Sequence, residues 1–169
     1  MWKIIILLIL LYSPIPALSQ SFETFLNRAK LGDAACMSYV GTCLINGTGV
    51  TKDEQEGFKW CYQAAQKGDL NGMAMTGWCY TNGIGVSKNQ NQGFEYSLKA
   101  AQKGQMGAQY NVGLDYINGY GIKQNYETGF NWLLKAAKQG HISASEQVGY
   151  CYSMGVGTIK DEVTGFEWS

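Results

Sequence analysis

Glycine recurs in this chain on a 36-residue comb. Gly32, Gly68, Gly104 and Gly140 fall on one register, and Gly41, Gly77, Gly113 and Gly149 on a second. Gly47, Gly83, Gly119 and Gly155 make a third, and Gly49, Gly85, Gly121 and Gly157 a fourth. The pair Gly57-Phe58 returns at Gly93-Phe94, Gly129-Phe130 and Gly165-Phe166, and no insertion disturbs the spacing. A strict period of roughly 20–50 residues marks stacked supersecondary units, each touching only its neighbours, rather than one globular core. Such an array presents a long surface more readily than a deep pocket, which favours binding over catalysis.

The N-terminal stretch reads differently. Met1-Trp2-Lys3 is a short basic start, Ile4 to Leu11 is apolar, Pro14 and Pro16 are expected to break any helix, and Ala17-Leu18-Ser19 supplies small residues. That order of features is a secretory signal peptide over residues 1–19, cut before Gln20. Its apolar run falls short of the ~20 residues that span a bilayer, and no second hydrophobic span follows. With Lys3 removed, residues 20–169 carry 12 basic and 13 acidic side chains. A near-neutral chain without a basic cluster argues against nucleic acid and against an anionic membrane as partner. Both prolines lie in the signal segment, so glycine does the punctuation beyond it, as suits helices joined by tight turns.

Each unit resolves into two helices. Helix A of the second unit is expected from Asp69, its N-cap, to about Asn82, with Leu70, Met73, Gly77 and Tyr80 on one face. Asp33 is the matching cap in the first unit, and Met106, Gln109, Gly113 and Tyr116 repeat the face in the third. Helix B starts at Asp53, Asn89, Asn125 and Asp161, all preferred N-cap residues. Glu56 and Gln92 follow the first two at capping-box distance. Glycine inside a helix costs about 1 kcal/mol relative to alanine. It nevertheless recurs inside helix A (Gly41 and its copies) and helix B (Gly57 and its copies). The two helices are therefore expected to cross closely there, with Phe58-type rings filling the space beside them.

The series Gly104, Ala108, Val112, Gly113, Tyr116, Gly119, Gly121, Ile122, Asn125, Phe130, Trp132 and Ala136-Ala137, repeated in register, resembles the Sel1-like repeat. The resemblance implies an all-α, right-handed solenoid of antiparallel helix pairs, related to tetratricopeptide arrays and used mainly for protein–protein contacts. Many bacterial members are exported. Gly57 and its copies depart from the alanine usual in the family, and Met154 and Thr158 depart from the pattern in the fourth unit. The units fall at 28–63, 64–99, 100–135 and 136–169, after an opening half-repeat at 20–27. Helix B of the fourth unit stops at Trp168-Ser169 after about two turns, where solenoids normally carry a polar capping helix. A truncated chain or fragment is the favoured expectation, with a partner covering the end as the other.

Five cysteines, at 36, 43, 61, 79 and 151, would meet an oxidising compartment after export. Cys36 and Cys43 lie about 10 Å apart along one helix, beyond disulfide reach. With the hairpin turn centred near Gly49, Cys36–Cys61 is the best geometric pair and Cys61–Cys79 the runner-up. The plain alternative is that most are small buried apolar residues. No CxxC is present, and His141 is the only histidine, so neither a redox motif nor a zinc site is expected. Asn46-Gly47-Thr48-Gly49 and its copies lack the Lys-Ser/Thr of a phosphate loop and follow a helix rather than a strand, so they read as structural turns. No cofactor is expected.

Some cysteine-rich proteins of the resembled family are penicillin-binding or weakly β-lactamase-like, which supplies an enzymatic alternative. The serine form of that chemistry needs S-x-x-K, and no serine here has lysine three residues on. The favoured expectation is a non-catalytic protein. Positions 38, 42 and 46 of helix A and their copies share one face but do not follow the core pattern. Trp78, Tyr110, Leu114, Tyr150 and Met154 on that face are the candidate partner-binding strip, for another protein or an extended peptide. Packing between adjacent units is the competing reading of the same side chains. A secreted effector or immunity-type protein is a third possibility.

Overall fold

The computed structural model describes residues 15–169, and among them the chain is entirely helical. The helices are α1 (Ile15–Lys30), α2 (Ala34–Asn46), α3 (Glu54–Gln66), α4 (Leu70–Asn82), α5 (Gln90–Gln102), α6 (Met106–Asn118), α7 (Tyr126–Lys138), α8 (Ile142–Met154) and α9 (Glu162–Trp168). Helices α2, α4, α6 and α8 are the A helices, and α3, α5, α7 and α9 the B helices. Helix α1 takes the B position ahead of the first A helix. Each helix packs on the next one in sequence, and α2 also packs directly on α4. The array is thus an all-α solenoid.

Residues 1–14, which hold most of the expected signal peptide, lie outside the described residues. Helix α1 includes Pro16 in its first turn, so this proline does not break the helix. In that turn the missing N–H would have had no helical partner, and the fixed φ of proline suits the helix. The expected cut before Gln20 falls within α1.

Local chemistry explains each boundary. Asp33, Asp53, Asp69, Asn89, Asn125 and Asp161 all cap the helix that follows, each side-chain oxygen accepting a backbone N–H at 2.7–3.1 Å. Gln105 and His141 fill the Asp33 register in the last two units and cap as well, by accepting the Ala108 and Ala144 N–H groups. Each A helix ends on a left-handed glycine, at 47, 83, 119 and 155, with φ between 72 and 75°. The N-cap residue of helix B then donates its own N–H back to helix A. Asp53 bonds the Leu44 carbonyl, Asn89 the Tyr80, Asn125 the Tyr116 and Asp161 the Tyr152 carbonyl, at 2.8–2.9 Å. Every A–B hairpin is closed by the same bond.

The helical glycines sit where the hairpin helices touch. A Cβ on Gly41 would lie 2.7 Å from the Gly57 carbonyl oxygen, and one on Gly57 would lie 2.8 Å from that of Gly41. Gly77 and Gly93 face each other likewise, as do Gly113 and Gly129. The expected close crossing is therefore present. Phe58 packs against Ile45 and Cys61, the residues at the first crossing, and the phenylalanine rings also do more than fill that space. They reach forward to the next unit and meet a tyrosine of its A helix edge-on. Phe58–Tyr80, Phe94–Tyr116 and Phe130–Tyr152 have centroids 5.2–5.4 Å apart and planes at 81–87°. Edge-to-face pairs of this kind add about 0.5–1.5 kcal/mol each beyond area burial.

One core position breaks the pattern. Val40, Val112 and Val148 are fully buried in helix A of units one, three and four, and Thr76 takes the place in unit two. Its hydroxyl has no hydrogen-bond partner among the described residues. Thr76→Val removes an unsatisfied group without changing shape, so it is expected to raise stability by about 1–2 kcal/mol in urea unfolding. A loss of stability would show that the hydroxyl is bonded.

Candidate functional site

The A-helix face carries almost no charge. Helices α2 and α4 have no charged residue, α6 has only Asp115 and α8 only Glu146. The other charged residues of the repeats lie on B helices, caps and turns. Four recesses follow one another along the A helices. The first, about 590 Å³, is lined by Phe25, Tyr39, Thr42, Asn71, Ala74 and Gln105, among others. The second, about 370 Å³, shares Thr42, Ala74 and Gln105 with it and adds Trp78 and Asn111. The third, about 170 Å³, shares Trp78 and Asn111 and adds Leu114, Asp115 and Asn118. The fourth, about 500 Å³, shares Leu114 and Asn118 and reaches Tyr150. Adjacent recesses share lining residues, so they form a row along the A helices of all four units.

The five candidate strip residues are distributed unequally along it. Trp78 is 38% exposed and belongs to the two central recesses. Leu114 is partly buried against the third-unit core but lines the third and fourth recesses. Tyr150 is 55% exposed and walls the fourth. Met154 is 60% exposed and lines none of the four. Tyr110 is partly buried, its ring stacked on His141 of the next unit at 4.5 Å. It takes part in joining two units.

Sequence reasoning passed over Asp115. It occupies the register of Cys43, Cys79 and Cys151, so a charged group stands where the other units carry a thiol. It is 9% exposed, and its carboxylate accepts no hydrogen bond and pairs with no cation among the described residues. Burial alone pushes its pKa from 3.8 up to about 6. The signal was available, as a single aspartate on a comb of cysteines.

All five cysteines are buried free thiols, and the expected Cys36–Cys61 bridge is not formed. The helices are out of level for it. Gly41 faces both Gly57 and Cys61, so Cys61 stands at the close crossing of α2 and α3, whereas Cys36 lies in the first turn of α2. Cys36 packs in the first core cluster with Phe22 and Ala29, while Cys61 clusters with Ile45 and Cys79. No group of three or more potential metal ligands occurs among the described residues. No described helix is long and apolar enough to cross a membrane.

The comparisons agree with this architecture. The Sel1 repeat matches residues 34–69, 70–105, 107–141 and 142–169. Arrays of this repeat generally act as non-catalytic scaffolds for protein–protein interaction. A protective antigen of uropathogenic Escherichia coli displaying an SLR fold is 32% identical, with a TM-score of 0.81 over 87% of this chain and 32% of that one. A Sel1 repeat protein from Oxalobacter formigenes is 26% identical, with a TM-score of 0.82 over 89% of this chain and 60% of that one. Cysteine rich protein B of Helicobacter pylori shares the fold at 19% identity and a TM-score of 0.61, over 75% of this chain and 93% of that one. The chain thus spans about a third of the E. coli chain and three-fifths of the Oxalobacter chain. No curated protein matches it. With its four matched repeats covering most of its length, the chain belongs to the Sel1 repeat family.

Proposed function

We propose that this protein is an exported, non-catalytic scaffold that binds an extended segment of another protein along the groove of its A helices. The observation that carries this reading is the row of recesses along those helices. Recesses with shared walls run from Tyr39 past Trp78 to Tyr150. A preformed groove favours a partner that lies along it, because less conformational freedom is lost on binding. The signal-peptide pattern supports export, and an E. coli relative that is a protective antigen fits a chain leaving the cytoplasm.

The test uses the two exposed aromatics of the groove. Trp78→Ala combined with Tyr150→Ala is expected to weaken capture of the partner by at least about tenfold. Both forms should show the same helical circular dichroism. Tyr110 is left intact because its stacking on His141 would confound binding with stability. Equal capture by the variant would overturn the groove as the binding face.

A further inference from the structure

We propose that the recess around Asp115 is a pocket for one cationic group, the ammonium or guanidinium tip of a basic side chain carried by the bound segment. This rests on the groove reading above. The recess lies between α4 and α6, with Ser97 of α5 at its base. Its volume of about 170 Å³ suits a side-chain tip rather than a folded element.

The recess holds acceptors that take no hydrogen bond among the described residues. The Asp115 carboxylate is unpaired among the described residues and over nine-tenths buried. Asn82 donates its side-chain N–H to the Trp78 carbonyl at 2.9 Å, and Asn118 donates to the Leu114 carbonyl at 2.9 Å. Each amide is thereby oriented with its oxygen as the uncommitted end. Trp78 and Tyr120 add aromatic walls, which attract cations through their π faces. The A helices contribute no Lys or Arg that could satisfy the site from within. A buried carboxylate without a partner is unfavourable, and a cation seated in the recess would relieve it. Since Asp115 is the only aspartate in its register, the pocket occurs once in the array and would fix the register of the bound segment.

The test titrates the full chain with an acetylated, amidated Gly-Gly-Lys-Gly-Gly peptide, the same peptide with norleucine for lysine, and n-butylamine. The Trp78 indole and the Asn82 and Asn118 side-chain amides are followed by nuclear magnetic resonance at pH 7.5. The lysine peptide is expected to shift these resonances and to bind roughly tenfold more tightly than the norleucine peptide. Asp115→Cys restores the residue of the other three units, so the fold is kept, and it should erase that preference. Equal binding of the two peptides, no shift at these resonances, or a preference that survives Asp115→Cys would overturn the pocket. Butylamine binding as tightly as the lysine peptide would overturn a polypeptide as the source of the cation. The capture experiment with the Trp78 and Tyr150 variant fails independently, so loss of the scaffold reading and loss of the pocket are distinguishable.

Discussion

Gly85→Ala is expected to lower stability by about 4 kcal/mol, measured by chemical unfolding. Two effects add. Gly85 has φ +67°, where a side chain costs about 1–2 kcal/mol. A Cβ there would also fall inside the van der Waals surface of the Glu54 carbonyl, at the first turn of helix B in the preceding unit. Relief would require backbone to move, which costs typically 1–3 kcal/mol. Gly83→Ala separates the two effects. Its φ of +75° is similar, but its Cβ would meet only Lys88, at 3.3 Å and beyond. It should lose only the strain, about 1–2 kcal/mol. Equal losses for the two variants would show that the contact between units contributes nothing. Gly121 and Gly157 stand against Gln90 and Tyr126 in the same way, so the second glycine of the last three turns is a joint between units.

Asp115→Asn is expected to stabilise the protein by up to about 3 kcal/mol at pH 7.5, less where solvent in the recess screens the charge, and by much less at pH 4. Burial raises the folded-state pKa from 3.8 to about 6. Below about pH 4 the group is protonated in both states and burial carries little electrostatic penalty. Between about pH 4 and 6 the unfolded chain releases its proton first, so folding stability falls as pH rises. Above about pH 6 the full difference is present, near 3 kcal/mol at 1.36 kcal/mol per pKa unit. Unfolding curves of both forms from pH 4 to 8 check this. A variant whose advantage does not grow with pH would show that Asp115 is not desolvated.

What the sequence made legible was what is local. Cap residues and left-handed glycines act within a few positions of themselves, so Asp53 and Gly83 announce their roles directly. Gln105 and His141 are poorer caps by composition, and only their register gives them away. The partners of Gly85 and Phe58 lie in neighbouring units, at Glu54 and Tyr80. Their periodicity shows that each position matters but not what it touches. The candidate strip suffered the same limit. The i, i+4 rule groups Tyr110 with Leu114 and Asn118 on α6, but it does not foresee that His141 stacks on it. Cys36 and Cys61, paired in the sequence reading, fall in different core clusters, a separation that helix periodicity alone does not fix.

The buried thiols make the array a recorder of its own breathing. Cys61 and Cys79 are pushed to about 12, chiefly by burial, with the neighbouring Cys79 and Glu54 charges respectively adding to the effect. At pH 8 a thiol held there is ionised in only about one molecule in ten thousand. Alkylation of these cysteines therefore waits for the surrounding helices to part. Cys36, Cys43 and Cys61 sit in the first unit, Cys79 in the second and Cys151 in the fourth. The order in which a small alkylating reagent marks them gives the free energy at which each segment opens, without any added label.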